Sequence, residues 1–515
     1  MAIKLIMLVV FFGVMVGVGF YSRRHAADVN GFVLGGRSVG PWLTAFAYGT
    51  SYFSAVIFVG YAGQFGWRFG LASTWIGLGN CIIGSLMAWV ILGRRTRLMT
   101  QQLSSATMPD FFEKRFGSRA LKIAASAIIF VFLIPYTASL YNGLSRLFGM
   151  AFHIDYTLCI IIMAVLTGIY VIAGGYMATA INDFIQGLIM LVGIVAVIAA
   201  VLNQNGGFMQ AYTDLARVED ASVSTMPGVF ASFFGPDPFG LLCVVVLTSL
   251  GTWGLPQMVQ KFYAIKSENA ISKGTIISTV FALVVAGGCY FLGGFGRLFS
   301  DKIDVAANGY DSIVPTMLEG LSPFLLAVVV ILVLSASMST LSSLVLASSS
   351  TLTLDFLKDN IIKDMDEKKQ VLTMRLLIVV FILISVIIAI VQYSTTVNFI
   401  AQLMGVSWGA LAGAFLAPFL YGLYIKRTSR AAVWVSFIFG AGIMTLNLFF
   451  RSSFPALLQS PINCGAFAMV VGLVIVPLVS LFTPAPDKAL VDNAFSVYDR
   501  KVVTVARDTL GEPEA

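Results

Sequence analysis

Residues 334–343 read LSASMSTLSS, in the middle of an apolar segment that runs from about Phe324 to Thr353. At helical spacing Ala336, Ser339, Thr340 and Ser343 fall at i, i+3, i+4 and i+7, so two adjacent hydroxyls and a backbone carbonyl share one face. Such a face gains nothing from contact with lipid. Small hydroxyl residues at membrane depth have two common uses, close helix packing and oxygen ligation of a desolvated hard cation. Periodicity alone favours packing, and the rest of the chain has to move the balance.

The surrounding sequence makes the membrane setting plain. The chain has 515 residues, of which 58% are hydrophobic and 11% charged, and its apolar runs repeatedly exceed what a soluble core helix needs. With roughly 20 apolar residues per crossing, the pattern predicts an all-α polytopic membrane protein with about thirteen spans. They fall near 3–21, 42–64, 71–92, 121–147, 156–176, 183–203, 236–258, 274–296, 322–352, 374–393, 398–424, 431–450 and 462–482. The first is a retained helix: Arg23 and Arg24 follow the apolar run, with no small-residue cleavage site between.

Cytoplasmic loops carry the excess of Lys and Arg. With the N-terminus outside and the C-terminus inside, only Lys4, Arg68, Arg146, Arg217, Arg297, Lys302 and Arg451 of the 32 basic residues lie outside. The net charge of +7 is then mostly a topology signal and not a nucleic-acid surface. Cys81, Cys159, Cys243, Cys289 and Cys464 are scattered without a C-x-x-C pair, which reads as buried apolar residues. His25 and His153 lie outside span interiors, which argues against haem or a histidine metal centre.

Several stretches break the apolar monotony. Val29–Gly40 (VNGFVLGGRSVG) is a glycine-rich inner loop, read as a turn because no G-K-[ST] follows. The second span carries Gly49, Thr50, Ser51 and Ser54, a composition that suits either an unwound helix with free carbonyls or a small-residue packing face. SSATMPDFFEKRFGS predicts a short interfacial helix capped near Thr107 to Asp110. PYTASLYNG, 135–143, places Tyr136, Tyr141 and Asn142 within the fourth span. Asp183, in IAGGYMATAINDFIQ, reads as the one carboxylate at the edge of a span, either a functional group or a helix N-cap. SLGTWGLPQ, 249–257, has two glycines and Pro256 that break the seventh span. Broken second and seventh spans are five apart, the spacing of two inverted five-helix units around a midplane site. SWGALAGAFLAP, 407–418, predicts a tightly packed eleventh span, and the polar tail beyond Thr483 reads as loosely attached.

LGGRSVGP, TMPDFFEKRF, GGYMATAINDFIQ, LPQMVQKF, SASMSTLSS and SWGALAGAF, in that order over roughly residues 30 to 430, resemble the sodium:solute symporters, in particular the branch of proline and pantothenate transporters. The resemblance implies a LeuT-type inverted-repeat fold. Residues 1–40 would be an extra N-terminal helix and loop, 41–205 the first repeat, 236–426 the second, 427–485 two further helices and 486–515 a cytoplasmic tail. It also implies a main sodium site made of the carbonyls of Thr50, Phe53 and Ala336 and the hydroxyls of Ser339 and Thr340. Five oxygens without a carboxylate suit a monovalent cation, so the resemblance moves the balance from packing to ion binding. A second sodium site is implied at Asp183, Ser339, Ser342 and Ser343.

The substrate side departs from the proline transporters, which have an Asp where Tyr52 stands and aromatic residues where Thr248 and Thr252 stand, while Tyr136 is kept. LPQ and GFGRLF look closer to pantothenate-type members. The expectation is a sodium-coupled symporter, not an enzyme, in the plasma membrane, taking up a carboxylate-bearing solute such as pantothenate, a monocarboxylate or an amino acid. Ser54, Phe58, Tyr136, Thr252 and Trp253 would line its cavity. The alternatives are a sodium/proline symporter with an altered substrate site, or a transport-like sensor, against which the short tail argues. The implied partners are the small-molecule substrate, sodium ions and the lipid bilayer, with no organic cofactor, no nucleic acid and no required oligomer.

Overall fold

Apolar runs without water to satisfy their backbone must pair every amide internally, and helices do so within one segment. A computed structural model describes residues 2–152, 155–305, 309–362, 365–393 and 400–499, and these residues are helical, with two isolated β-bridges. His153 and residues 500–515 lie outside the described residues.

The helices are α1 (Ala2–Ser22), α2 (Val29–Leu34), α3 (Pro41–Tyr52), α4 (Ala62–Phe69), α5 (Thr74–Gly79), α6 (Arg94–Gln102), α7 (Met108–Phe116), α8 (Arg119–Phe152), α9 (Tyr156–Gln204) and α10 (Phe208–Ala216). After them come α11 (Pro238–Gly254), α12 (Pro256–Ala264), α13 (Glu268–Ala282), α14 (Gly288–Gly293), α15 (Ile313–Leu318) and α16 (Pro323–Thr351). The chain continues with α17 (Glu367–Tyr393), α18 (Ile400–Tyr424), α19 (Arg430–Phe449), α20 (Pro461–Phe482) and α21 (Lys488–Phe495). Wide π-type turns continue several of them, as at Val56–Tyr61 ahead of α4 and Asn80–Met87 between α5 and α6.

Among the described residues ten helices are long and apolar enough to cross a membrane, plus the pair α11 and α12, bent by 46°. Two of the ten, Val56–Gln102 and Tyr156–Gln204, have 47 and 49 residues. A straight helix of that length would reach about 70 Å, more than twice the ~30 Å hydrocarbon core. Each is interrupted by a glycine in a conformation closed to other residues: Gly70 at φ 63, ψ −143 and Gly175 at φ 54, ψ −146. Both positions are also crowded, for a Cβ on Gly70 would lie 2.0 Å from the Phe230 carbonyl oxygen and one on Gly175 2.9 Å from that of Phe32.

α16, which carries the serine-rich stretch, is the axle of the molecule. Every residue from Val329 to Thr351 is buried, packed by α1, α3, α8, α9 and α17. α18 is the other deeply buried span, and its glycines explain the depth: a Cβ on Gly409 would meet the Cα of Gly465 at 2.8 Å. The expectation of tight packing from SWGALAGAFLAP is met.

The glycine-rich segment 29–40 differs from the turn expected of it. Asp28 caps α2 by accepting from the Gly31 amide, and Gly35, left-handed at φ 58, ends it. Beyond it Val39 pairs with the chain after α12, accepting from Lys266 N at 3.0 Å and donating to Ala264 O at 3.3 Å. The Arg37 guanidinium donates to the carbonyls of Ser105 at 2.6 Å and Tyr263 at 3.2 Å. The motif LGGRSVGP thus ties the start of one broken helix to the end of the other.

The predicted interfacial helix forms as α7, with Thr107 accepting from the Asp110 amide. Lys122 gathers Glu113 at 2.9 Å, Asp110 at 3.5 Å and Asp355 at 3.8 Å. Asp355 is buried at the end of the Pro323–Leu357 span, so Asp183 is not the only carboxylate at a span edge. Its partner Lys122 lies 233 residues away and so left no local signal. The tail also differs from expectation: α21 is capped by Asp487 and buries Val491, Ala494 and Phe495, with Arg115 stacked 5.0 Å over the Phe495 ring.

Candidate functional site

The first broken helix is interrupted one turn later than its glycine. α3 runs through Gly49 and Thr50 and stops at Phe53, which is extended at φ −91, ψ 110, and the helix resumes at Val56. Carbonyls of a last helical turn lack amide partners, and here two of them meet α16. The Thr50 carbonyl accepts from Ser339 Oγ at 3.2 Å and from Thr340 Oγ1 at 3.0 Å, and the Phe53 carbonyl lies 3.5 Å from Thr340 Oγ1. Both hydroxyls also reach back to the Ala336 carbonyl at 3.1 Å. All five residues are buried.

Oxygens held about 2.3–2.6 Å from a hard cation sit about 3.3–3.7 Å from their neighbours in the shell. The spacings here, 3.0–3.5 Å, are those of such a shell slightly contracted around hydroxyl hydrogens. Rotation of two hydroxyls would turn five lone pairs inward, all of them on neutral groups.

The residues expected for a second ion are arranged differently. Ser339 belongs to the first cluster, and Ser342 Oγ donates to the Ser339 carbonyl at 2.8 Å. Ser343 Oγ accepts from Lys261 Nζ at 3.0 Å and lies 2.8 Å from Ser51 Oγ on α3. Asp183 is fully buried inside α9, eight residues past the reversal at Gly175, so it is not a helix N-cap. Its Oδ2 faces Lys261 Nζ at 3.8 Å.

Lys261 is missed by the apolar-run reading, which ends the seventh span at residue 258. In the structure α12 continues the buried helix to Ala264, with Lys261 only 2% exposed. The available signal was helical phase: Lys261 follows the break at Leu255 by six residues, on a helix whose every residue is buried.

Around the first break, Ser54 Oγ, Tyr136 Oη and Trp408 Nε1 are buried with no well-aligned hydrogen-bond partner among the described residues. The Tyr136 and Trp408 rings meet edge to face, centroids 5.9 Å apart. Phe58 is buried in the turn that restarts the helix. Thr252 and Trp253 are engaged elsewhere: Thr252 Oγ1 donates to the Gly84 carbonyl at 3.0 Å and Trp253 Nε1 to that of Ile83 at 3.0 Å. They staple α11 to the neighbouring π-type turn, which uses the Thr252 O–H and the Trp253 N–H as donors and leaves the Thr252 hydroxyl only its acceptor lone pairs. Trp408 joins the group because Gly251 leaves room for it, a Cβ there being 2.7 Å from the indole. A cavity of about 870 Å³ lies elsewhere, between Arg37, Asp110, Lys122 and Asp355, and none of the five converging oxygens lines it.

An arginine joins α4 to the segment between α10 and α11. Arg297, from GFGRLF, donates to the Trp67 carbonyl at 2.6 Å and to Asp220 at 2.8 Å, and stacks 3.8 Å over the Phe230 ring.

The description of the sodium:solute symporter family matches residues 32–440. The chain belongs to that family. This symporter is 28% identical over 494 residues to the osmoregulated proline transporter OpuE of Bacillus subtilis (strain 168), covering 95% of this chain and 97% of that one. It is 31% identical over 449 residues to the sodium/proline symporter of Staphylococcus aureus (strain JH9), covering 85% and 84%. Its fold is similar to that of a Na+-coupled sialic acid symporter, with a TM-score of 0.72 at 15% identity over 94% of this chain and 99% of that one. It is also similar to Mhp1, a nucleobase-cation-symport-1 family transporter, with a TM-score of 0.53 over 90% and 97%. The fold is thus the LeuT-type all-helical one, and the protein is a multi-pass sodium-coupled symporter of the cell membrane.

Proposed function

We propose that this symporter uses the sodium gradient to take up proline or a closely similar small amino acid by alternating access. The observation that carries the sodium half is the crossing of α3 and α16, where five neutral oxygens at 3.0–3.5 Å spacing converge. Thr50, Phe53, Ala336, Ser339 and Thr340 would strip and wrap one ion there. Because the ion bridges a helix that is broken and a helix that is not, its binding would hold α3 against α16 and favour one state of the carrier. Substrate affinity would rise in that state, and by linkage the substrate would tighten sodium by the same factor.

The substrate half rests on the two relatives named above, which are proline transporters, together with the polar atoms beside the break. Ser54, Tyr136 and Trp408 offer two hydroxyls and an indole N–H in an otherwise apolar wall. The starts of the two half-helices after the breaks suit a carboxylate. Among the carboxylate-bearing solutes expected, the relatives favour an amino acid, proline, over pantothenate, toward which LPQ and GFGRLF pointed. In this reading 41–205 and 236–426 are inverted repeats, each opening on a broken helix, and the N-terminus lies outside with the C-terminus inside.

Uptake of labelled proline into vesicles with and without an inward sodium gradient tests the reading. Accumulation should require sodium, and excess unlabelled pantothenate should not compete. Proline accumulation that is equal in potassium, or none at all beside sodium-driven pantothenate uptake, would overturn it.

A further inference from the structure

A carboxylate buried among serines next to a sodium site is where a second coupling ion would be sought. In this chain the place is already taken. Lys261 Nζ lies 3.8 Å from Asp183 Oδ2, donates to Ser343 Oγ at 3.0 Å and sits 5.1 Å over the Tyr176 ring. Asp183 is fully buried and Lys261 is 2% exposed, so neither charge is answered by water.

We propose that the Lys261 ammonium is a tethered cation standing in for a second sodium, so that the carrier binds and moves one sodium ion per cycle. The inference rests on the sodium reading above and specifies its stoichiometry.

Three observations support it. First, the charges balance: one carboxylate and one ammonium leave a neutral pocket, and a further monovalent ion would add an uncompensated charge beside the ammonium. Second, the pocket is already organised around the ammonium. Ser343 is held by Lys261 and Ser51, Ser342 by the Ser339 carbonyl and Ser339 by the neighbouring cluster, and the Asp183 oxygens, which have no hydrogen-bond partner among the described residues, have Lys261 Nζ as the facing charge. Third, the 3.8 Å between nitrogen and carboxylate leaves no room for an ion between them. Lys261 also joins elements that the sodium crossing does not. It comes from the inner half of the second broken helix and meets α9, α16 and, through Ser343, α3, so a permanent cation ties together the parts that an exchangeable one would tie only transiently.

Equilibrium binding of 22Na+ to the purified full-length protein counts the ions directly and needs no substrate. The wild type should bind one ion per chain, lost in Ser339→Ala/Thr340→Ala. Lys261→Met, which leaves the Asp183 carboxylate without its cation, should bind two. Adding Asp183→Asn to Lys261→Met should return the count to one. Two ions in the wild type would overturn this inference and leave the sodium reading standing, whereas zero would overturn both. A count that stays at one in folded Lys261→Met would show that the ammonium is not what excludes the second ion. Where that variant does not fold, the wild-type count, together with a reversal potential giving one sodium per substrate, decides the matter.

Discussion

Two adjacent turns of α16 face the same broken helix and do opposite things. At Ala336, Ser339 and Thr340 the helix offers neutral oxygens to the carbonyls of Thr50 and Phe53. At Ser343, one turn on, it meets Ser51, Lys261 and, through the lysine, Asp183. A neutral oxygen cage is indifferent to being empty, because its hydroxyls bond to its carbonyls, and it gains a cation without burying any other charge. A buried carboxylate must have a positive charge in every state. The first arrangement suits an ion that comes and goes, and the second suits one that stays.

The test expected to move most is the removal of the two hydroxyls. Ser339→Ala/Thr340→Ala should weaken sodium binding on the order of 100-fold or more, by comparison with the 10–100-fold typical of outer-shell changes. Sodium-driven uptake should vanish while the protein remains in the membrane. Uptake unchanged at low sodium would erase the contrast between the two turns.

The charged turn should show itself in stability. Asp183→Asn leaves an ammonium buried without its counter-charge, a loss of about 3–5 kcal/mol for a broken buried pair. It should be read as a lower thermal midpoint in detergent, and Asp183→Asn/Lys261→Met should recover most of it. A single variant as stable as the wild type would mean that the pair carries no charge.

A smaller effect is expected beside the first break. Tyr136→Phe removes one hydroxyl that lies beside Ser54 and Trp408 without a well-aligned hydrogen bond among the described residues, so stability should change by about 1 kcal/mol or less. The KM for substrate should rise about 2- to 10-fold, the range of one hydrogen bond, with sodium binding unaltered.

The weakest effect belongs to an ion pair that water reaches. Hydrogen bonds from Ser222 and then Arg297 hold the Asp220 carboxyl below its ordinary range. The stabilisation is present above the ordinary carboxylate pKa of about 3.9 and is lost as pH falls through the lower folded value. Uptake should therefore show no dependence on this group between pH 5 and pH 8, and Asp220→Asn should cost about 1 kcal/mol or less at pH 7. A thermal midpoint in Asp220→Asn as low as in Asp183→Asn would remove the distinction between wet and dry pairs.

Much of this was legible along the chain. The breaks near Ser54 and Pro256, the cap at Thr107 and the i, i+3, i+4 pattern of Ala336, Ser339 and Thr340 are local, and the structure places them as read, whereas the thirteen apolar runs appear among the described residues as ten long helices and one bent pair. The helix α2, the docked tail helix α21 and the engaged side chains of Thr252 and Trp253 were not foreseen, because each depends on a partner far away in sequence.

By itself the sequence determined that the chain is a bundle of membrane helices with two interruptions and a hydroxyl face on one span. Those properties follow from residue periodicity and from backbone groups that lipid cannot satisfy. Only the tertiary structure decided what faces Asp183. Lys261 lies 78 residues away, and its ammonium reaches the carboxylate because two helices separated by a reversal at Gly175 and a break at Leu255 close on the same point. Charge pairing acts through space, and its reach is set by packing and not by spacing along the chain.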